Sequence, residues 1–389
     1  MPAEREHDIV LFGATGFTGA LTAEYLAAHA PAGTRWAMAG RNMGKLEQVR
    51  AGLGSGSADV PLLRADVTDE ASVRAVAEST RVVITTVGPY IRYGEPLVAA
   101  CAASGTDYVD LTGEPEFVDR MWLAYHEQAS RSGARIVHSC GFDSIPYDLG
   151  ALFTVEQLPE GVPIALEGFV RAGGTFSGGT YQSTVEILGR LRQGASVARE
   201  RRGREEGPSG RRVRGVAGRP RHDEFAGGWV VPIPTIDPVT VLRSARALER
   251  YGPDFSYSHY LTVKRLPTLV GLAGGAAGLA ALAQLPPTRN ALLKLKGSGQ
   301  GPSAEQRAKA WFRVRFAARA DGRTMHTQVS GGDPGYGETS KMLAEAALCL
   351  AFDELPERAG QLTPAVAMGD ALLHRLQAAG IKFEVLDAG

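Results

Sequence analysis

Asp8-Ile9-Val10-Leu11-Phe12-Gly13-Ala14-Thr15-Gly16-Phe17-Thr18-Gly19 sets a short apolar run against a turn whose three glycines stand at intervals of three. Residues 9–12 read as a strand buried on both faces. The segment after Gly19, with Leu21, Tyr25 and Leu26 on one helical period, reads as a helix. Strand, glycine turn and helix in that order make a dinucleotide-binding unit. The glycines allow the tight turn and let the backbone approach a pyrophosphate, whose charge then meets the helix N-terminus. Gly13, Ala14, Thr15, Gly16, Phe17, Thr18 and Gly19 are thus candidate cofactor contacts. The spacing is GxxGxxG rather than GxGxxG, so the surroundings must decide against an ordinary loop.

They favour the nucleotide site. Strand-like runs at 9–12, 35–39, 61–65, 82–86, 108–111 and 135–138 alternate with helical periods, the pattern of a doubly wound parallel sheet. After the second run the chain reads Gly40-Arg41-Asn42, where an NAD site would offer an acidic residue to the ribose. Arg41 can instead pair with a 2′-phosphate, and Asn42 can donate to it or cap the next helix, which makes NADP(H) the expected cofactor. Asp66 and Val67 follow the third run, where a carboxylate reaches the adenine amino group and an apolar side chain covers the ring. Capping by Asp66 or Thr68 is the alternative. Val87, Gly88 and Pro89 end the fourth run and are expected at the nicotinamide ribose, with Tyr90 and Tyr93 as substrate-facing or packing tyrosines.

The chain has 389 residues, 44% hydrophobic and 22% charged, so it can bury a large core and divides more naturally into two domains than one. We expect an α/β protein: an N-terminal doubly wound Rossmann domain (1–145), a second α+β domain with a mainly antiparallel sheet (146–335), and C-terminal helices and a strand (336–389) that return to the first domain. Phe312, Val314, Phe316 and Ala318 alternate with arginines up to Asp321-Gly322, and Met325, Thr327 and Val329 come next, which reads as a hairpin. Thr363 and Pro364 open a terminal helix that Gly380 stops.

Lys plus Arg and Asp plus Glu both number 42, so no overall field draws the molecule to nucleic acid. Cys101, Cys140 and Cys349 form no metal or disulfide spacing. With no apolar leader at the N-terminus, the cytoplasm is expected, with peripheral membrane contact as a minor reading. The apolar stretch 269–285, rich in Gly and Ala, is expected to be a buried or dimer-packing helix rather than a span. Residues 199–221 carry nine arginines against Glu200, Glu205 and Glu206 and are expected as a solvated, mobile basic loop, the alternative being a docking place for an acidic acyl carrier protein or a phosphopantetheine or CoA group.

The sixth run leads into Cys140-Gly141-Phe142-Asp143-Ser144-Ile145-Pro146-Tyr147-Asp148, a turn into a helix capped by Asp143 or Ser144. Because this turn lies on the cofactor face, Asp143 and Tyr147 are candidates for substrate orientation or proton transfer. Tyr181, in the glycine-rich stretch 173–183, is a third candidate acid, and Arg92 or Arg171 would hold a substrate carboxylate if there is one.

GATGFTG, AGRN, TVGPY, CGFDSIPYDLG, SGGDPGY and TPAVAMGDALLHRLQAAGIKF together resemble the saccharopine-dehydrogenase-like oxidoreductases, and among them the bacterial trans-acting enoyl reductases. The resemblance implies an NADP-binding Rossmann domain, a second α+β domain and hydride transfer to the carbon–carbon double bond of a carrier-bound acyl or polyketide chain. Two other readings stand beside it: an imine or carbonyl reductase of amino-acid or secondary metabolism, and a non-catalytic NADP(H) sensor.

Overall fold

The computed structural model describes residues 5–174, 178–295 and 301–388. Six strands, β1 (His7–Phe12), β2 (Trp36–Gly40), β3 (Leu62–Arg64), β4 (Thr80–Thr85), β5 (Asp107–Asp110) and β6 (Arg135–Val137), pair in parallel in the order β6-β5-β4-β1-β2-β3. This is the doubly wound order with its switch between β1 and β4. The apolar runs of β1 and β2 are buried throughout, as strands covered on both faces must be. Val10, Phe12 and Val83 face α3 (Glu70–Ser79), α5 (Glu95–Ser104) and α6 (Pro115–Ser132). Ile9, Leu11 and Ile84 face the opposite layer, which includes α1 (Phe17–His29) and α2 (Met43–Gly52). A short α4 (Tyr90–Tyr93) precedes α5.

From β6 the chain enters α7 (Ile145–Glu156), whose residues are almost all buried. Next come β7 (Ile164–Gly173), α8 (Gly178–Gly189), α9 (Leu191–Arg204), β8 (Arg212–Gly215), β9 (Arg221–Asp223), β10 (Gly228–Pro232), α10 (Asp237–Ala247) and β11 (Asp254–Val263). Helices α11 (Leu266–Ala283), α12 (Pro286–Leu295) and α13 (Ala304–Ala308) lead to β12 (Trp311–Ala320) and β13 (Arg323–Gly331). The second sheet runs β13-β12-β7-β11-β10-β9, with β8 also on β11. Among the described residues only the β7–β11 and β8–β11 pairs of this sheet are parallel. Asp321 and Gly322 take φ of 49° and 73° in the expected hairpin turn. Helix α7 lies on the apolar face of this sheet so closely that a Cβ on Gly150 would stand 2.5 Å from the Phe316 ring.

The last segment serves both sheets. Helix α14 (Gly337–Phe352) packs on α1 and behind β4, and Thr18 accepts a hydrogen bond from Ser340 Oγ at 3.3 Å through its carbonyl. β14 (Gly360–Leu362) then adds a seventh parallel strand beside β6. Thr363 caps α15 (Pro364–Ala367), α16 (Gly369–Ala378) comes next, and β15 (Lys382–Ala388) pairs with β13 in the second sheet.

Two sequence expectations need correction. The basic segment 199–221 is not one loop: its first arginines complete α9, and others lie in β8 and β9. Arg201 is buried, donating to Asp119 Oδ1 at 3.1 Å with its guanidinium 4.8 Å from the Trp122 ring centre, so α6 supplies what stabilises this part of the helix. Of the two readings of the apolar stretch, burial is not met along the glycine face of α11, and dimer packing is untouched by this. Among the described residues a Cβ on Gly271, Gly274, Gly275 or Gly278 would meet nothing, and Leu282 and, just past the helix, Leu285 are 48% and 60% exposed. Among the described residues no helix is long and apolar enough to cross a membrane.

Candidate active site

The nucleotide turn is built for close approach. Gly13 has φ of 93°, a region that glycine enters without penalty, and a Cβ on Gly19 would stand 2.3 Å from the Gly13 carbonyl oxygen. Gly16 is the N-cap of α1 and offers no side-chain acceptor, so the first-turn N–H groups, at Phe17 and Thr18, remain for an anion. Ala14 is buried, Thr15 exposed, and Phe17 packs edge-on against Tyr336 with ring centres 4.7 Å apart. At the end of β2, Arg41 is exposed, and Asn42 accepts from Lys45 N at 3.0 Å, capping α2. Asp66 Oδ1 accepts from Thr68 N and Oγ1, which holds its carboxyl low, while Asp69 caps α3. Neither of the residues expected as that cap, Asp66 or Thr68, fills the position.

Opposite this turn, the carboxyl ends of β4, β5 and β6 present Val87, Gly88 and Pro89, then Gly113, then 141–144. Asp143 lies over Gly113, where an added Cβ would come within 3.0 Å of its Oδ2. Ser144, not Asp143, takes the N-cap position of α7, and its hydroxyl donates to Thr240 Oγ1 rather than capping. Tyr147, one turn into α7, packs against Phe142 on one side and His259 on the other, with ring centres 5.4 and 5.1 Å away. The second domain closes the cluster. His259 Nδ1 lies 3.1 Å from Tyr257 Oη, and His259 Nε2 lies 3.9 Å from Asp237 Oδ2.

Burial dominates the electrostatics of this cluster. It raises the Asp143 carboxyl to about 6 and pushes Asp237 well above the usual carboxylate range, Asp143 adding like charge. It holds His259 down to about 3, so the imidazole is neutral, and drives the Tyr147 and Tyr257 phenols up. A carboxyl kept protonated, beside phenols kept protonated, is a set of proton donors rather than nucleophiles. Asp237 Oδ1 and His259 Nε2 are buried without a hydrogen-bond partner among the described residues. Tyr257, His259 and Asp237 escaped the sequence reading. The visible signal was the alternation Phe255, Tyr257, His259, Leu261 in β11, which turns two polar rings to the face that β7 fills with Leu166 and Gly168.

Comparison with known proteins gives the family. Residues 9–137 match the family model of the saccharopine dehydrogenase NADP binding domain. A Mycobacterium tuberculosis protein provisionally named as a trans-acting enoyl reductase is 41% identical, over 98% of this chain and 97% of its own. A trans-acting enoyl reductase of Mycobacterium bovis is 37% identical over 98% of each chain. The chain belongs to the trans-acting enoyl reductases of the saccharopine-dehydrogenase-like family. The fold agrees: saccharopine dehydrogenase (L-Glu forming) from Saccharomyces cerevisiae superposes with a TM-score of 0.58 at 12% identity, covering 98% of this chain and 100% of that one. As a member of this family the protein is an NADP-dependent oxidoreductase. The open first turn of α1 and the exposed Arg41 are a fitting cradle for NADP(H), which supplies a hydride when bound.

Other residues singled out in the sequence have different places. Tyr90 Oη donates to the Thr85 carbonyl and accepts from Leu111 N, a structural crosslink inside the first domain. Arg92 is tied to Glu186 of α8, and Arg171 stacks its guanidinium 5.5 Å from the Trp311 ring centre. Cys140 is fully buried. Tyr181 belongs to α8, but its side chain lies outside the described residues.

Proposed function

We propose that this protein reduces the carbon–carbon double bond of an α,β-unsaturated acyl thioester presented on a carrier, with Gly13 to Gly19, Arg41, Asn42, Asp66, Val67, Val87, Gly88 and Pro89 around NADPH. The hydride adds to the β-carbon, and the α-carbon takes a proton from Tyr147 Oη. The protonated Asp143, with Asp237 behind it, restores that proton. The observation that carries this reading is the group Asp143–Tyr147–Asp237 facing the carboxyl edge of the nucleotide sheet, in which burial keeps the Tyr147 phenol and the Asp237 carboxyl protonated and raises the Asp143 carboxyl to about 6. The amino-acid reading would place a free arginine here for a substrate carboxylate. The two expected arginines are engaged elsewhere, Arg92 with Glu186 and Arg171 against Trp311.

The test is stopped-flow oxidation of NADPH against enoyl thioesters, free and carrier-bound. Wild type is expected to turn over at least one of them. Tyr147→Phe is expected to lower kcat by about 10²-fold or more with KM little changed, the range for losing a general acid. A protein that binds NADPH yet oxidises it with no enoyl thioester would overturn the proposal in favour of a sensor.

A further inference from the structure

Between α6, α9, α10 and the junction of β14 with α15 the fold leaves a cavity of about 90 Å³, which no side chain of the Asp143–Tyr147–His259 cluster lines. Its wall includes His138, Arg201, Glu205, Thr240, Arg243, Gln361 and Thr363. Three of these residues bring a buried polar atom with no partner among the described residues: His138 Nε2, Arg201 Nε and Gln361 Oε1. Their orientations are fixed by their other ends. His138 Nδ1 meets Asp110 Oδ2 at 2.7 Å, Arg201 Nη1 and Nη2 donate to Asp119 and Glu205, and Gln361 Nε2 donates to the Val118 carbonyl at 2.9 Å. Rotating any of these groups to satisfy the orphaned atom would break a bond already made.

The charge around the cavity is also incomplete. Arg201 and Arg243 both donate to one oxygen, Asp119 Oδ1, while Glu205 serves Arg201 and, at 3.9 Å, Arg246. Three guanidinium groups therefore share two carboxylates, and of these five charges Arg201, Arg243 and Glu205 stand on the wall itself. Burial and the like charge of Arg243 hold the Arg201 guanidinium down to about 10, as expected of a buried cation short of counter-charge. A ligand that completes the wall must bring negative charge to the arginines and a donor hydrogen to Gln361 Oε1. Water alone supplies the second but not the first.

We propose that this cavity is a binding site for a small oxyanion that also carries a hydroxyl, such as hydrogenphosphate or a short hydroxycarboxylate, held by Arg243 and Arg201 with its hydroxyl on Gln361. The site touches the catalytic segment. Thr240, on its wall, accepts from Ser144 Oγ at 3.3 Å, and Ser144 adjoins Asp143. Occupancy therefore bears on the turn that carries Asp143 and Tyr147, through a contact independent of the cofactor.

Calorimetric titration of the protein saturated with NADP(H), so that the 2′-phosphate site at Arg41 is already filled, tests this with inorganic phosphate, glycolate and acetate. Saturable binding of phosphate or glycolate is expected at one site per chain, with acetate about tenfold weaker because it lacks the hydroxyl. Whichever of the two dominates identifies the source of the oxyanion. Arg243→Gln and Gln361→Leu should each weaken the binding by about tenfold or more while NADPH affinity, read by its fluorescence, stays unchanged. If Arg243→Gln does not fold, Gln361→Leu carries the test. Absence of saturable binding in the wild type would overturn the proposal. So would equal binding by wild type and both variants, which would mean an adventitious ion only.

Discussion

At the scale of single residues, the proposed determinants of cofactor choice are the two positions just past β2. Arg41 is exposed at the strand end where an acidic residue would favour NAD, and its positive charge helps to hold the Asp66 carboxyl low. Arg41→Ala is expected to weaken NADPH by about 10- to 100-fold in a fluorescence titration and to leave NADH nearly unchanged, since a charge-assisted contact to phosphate is worth about 1.5–3 kcal/mol. Equal losses for both cofactors would refute the assignment. Asp143 gives a pH prediction. With its carboxyl raised to about 6, the protonated form that the proposed mechanism needs to restore the Tyr147 proton is lost as pH rises through that value. The rate should therefore fall above about pH 6, and Asp143→Asn should remove that limb from the pH profile. The glycine turn was legible because its geometry is local. Asp237 and His259 were not, because each becomes informative only when β11 and α10 bring it to a loop about a hundred residues away in sequence.

At the scale of elements, α7 is the joint between the sheets, and one carboxyl inside it decides how it tolerates pH. Asp148 is buried, accepts from Ser244 Oγ at 2.5 Å and from Ala365 N at 2.8 Å, and is nevertheless raised by burial to about 7. A carboxyl with a folded value above its unfolded value of 3.8 binds its proton more tightly when folded. Its contribution to stability is present in full below about pH 4 and is lost as pH rises through about 7, amounting to at most about 4 kcal/mol. Denaturant melts of wild type and Asp148→Asn should differ by an amount that changes across this window. A constant difference would show that burial does not govern the group. Helix α9 teaches the complementary lesson. Its run of arginines looked like solvated loop because Asp119 and Trp122, which hold Arg201, lie on α6 and are invisible to local pattern. Strand β14 was illegible for a related reason: Gly360-Gln361-Leu362 has no alternation of its own, and only the open edge of β6 makes it a strand.

At the scale of the whole molecule, the two sheets are tied together by the end of the chain. The alternation in the first 140 residues was enough to read six strands and their winding, and the hairpin around Asp321-Gly322 gave the antiparallel character of the second sheet. The arrangement of α14, β14 and β15 could not be read so directly, since these elements find their partners in both sheets. A chain ending before Gly360 would uncover the edge of β6 and leave α15 and α16 missing from the core. It is expected to lose NADPH binding as well as second-domain stability, although the whole glycine turn remains. Soluble truncated protein with native NADPH affinity would contradict that coupling.

The same edge has a consequence for how the protein is made. β14 is synthesised long after β6, so the nucleotide-binding sheet leaves the ribosome with one side unfinished. At the usual rate of elongation this lasts roughly 10–45 s before the closing strand emerges. During that interval the exposed backbone of β6 is open to pairing with another chain. Nascent-chain chaperones should therefore engage this protein after residue 137 has emerged and release it only once Gly360 to Leu362 have followed.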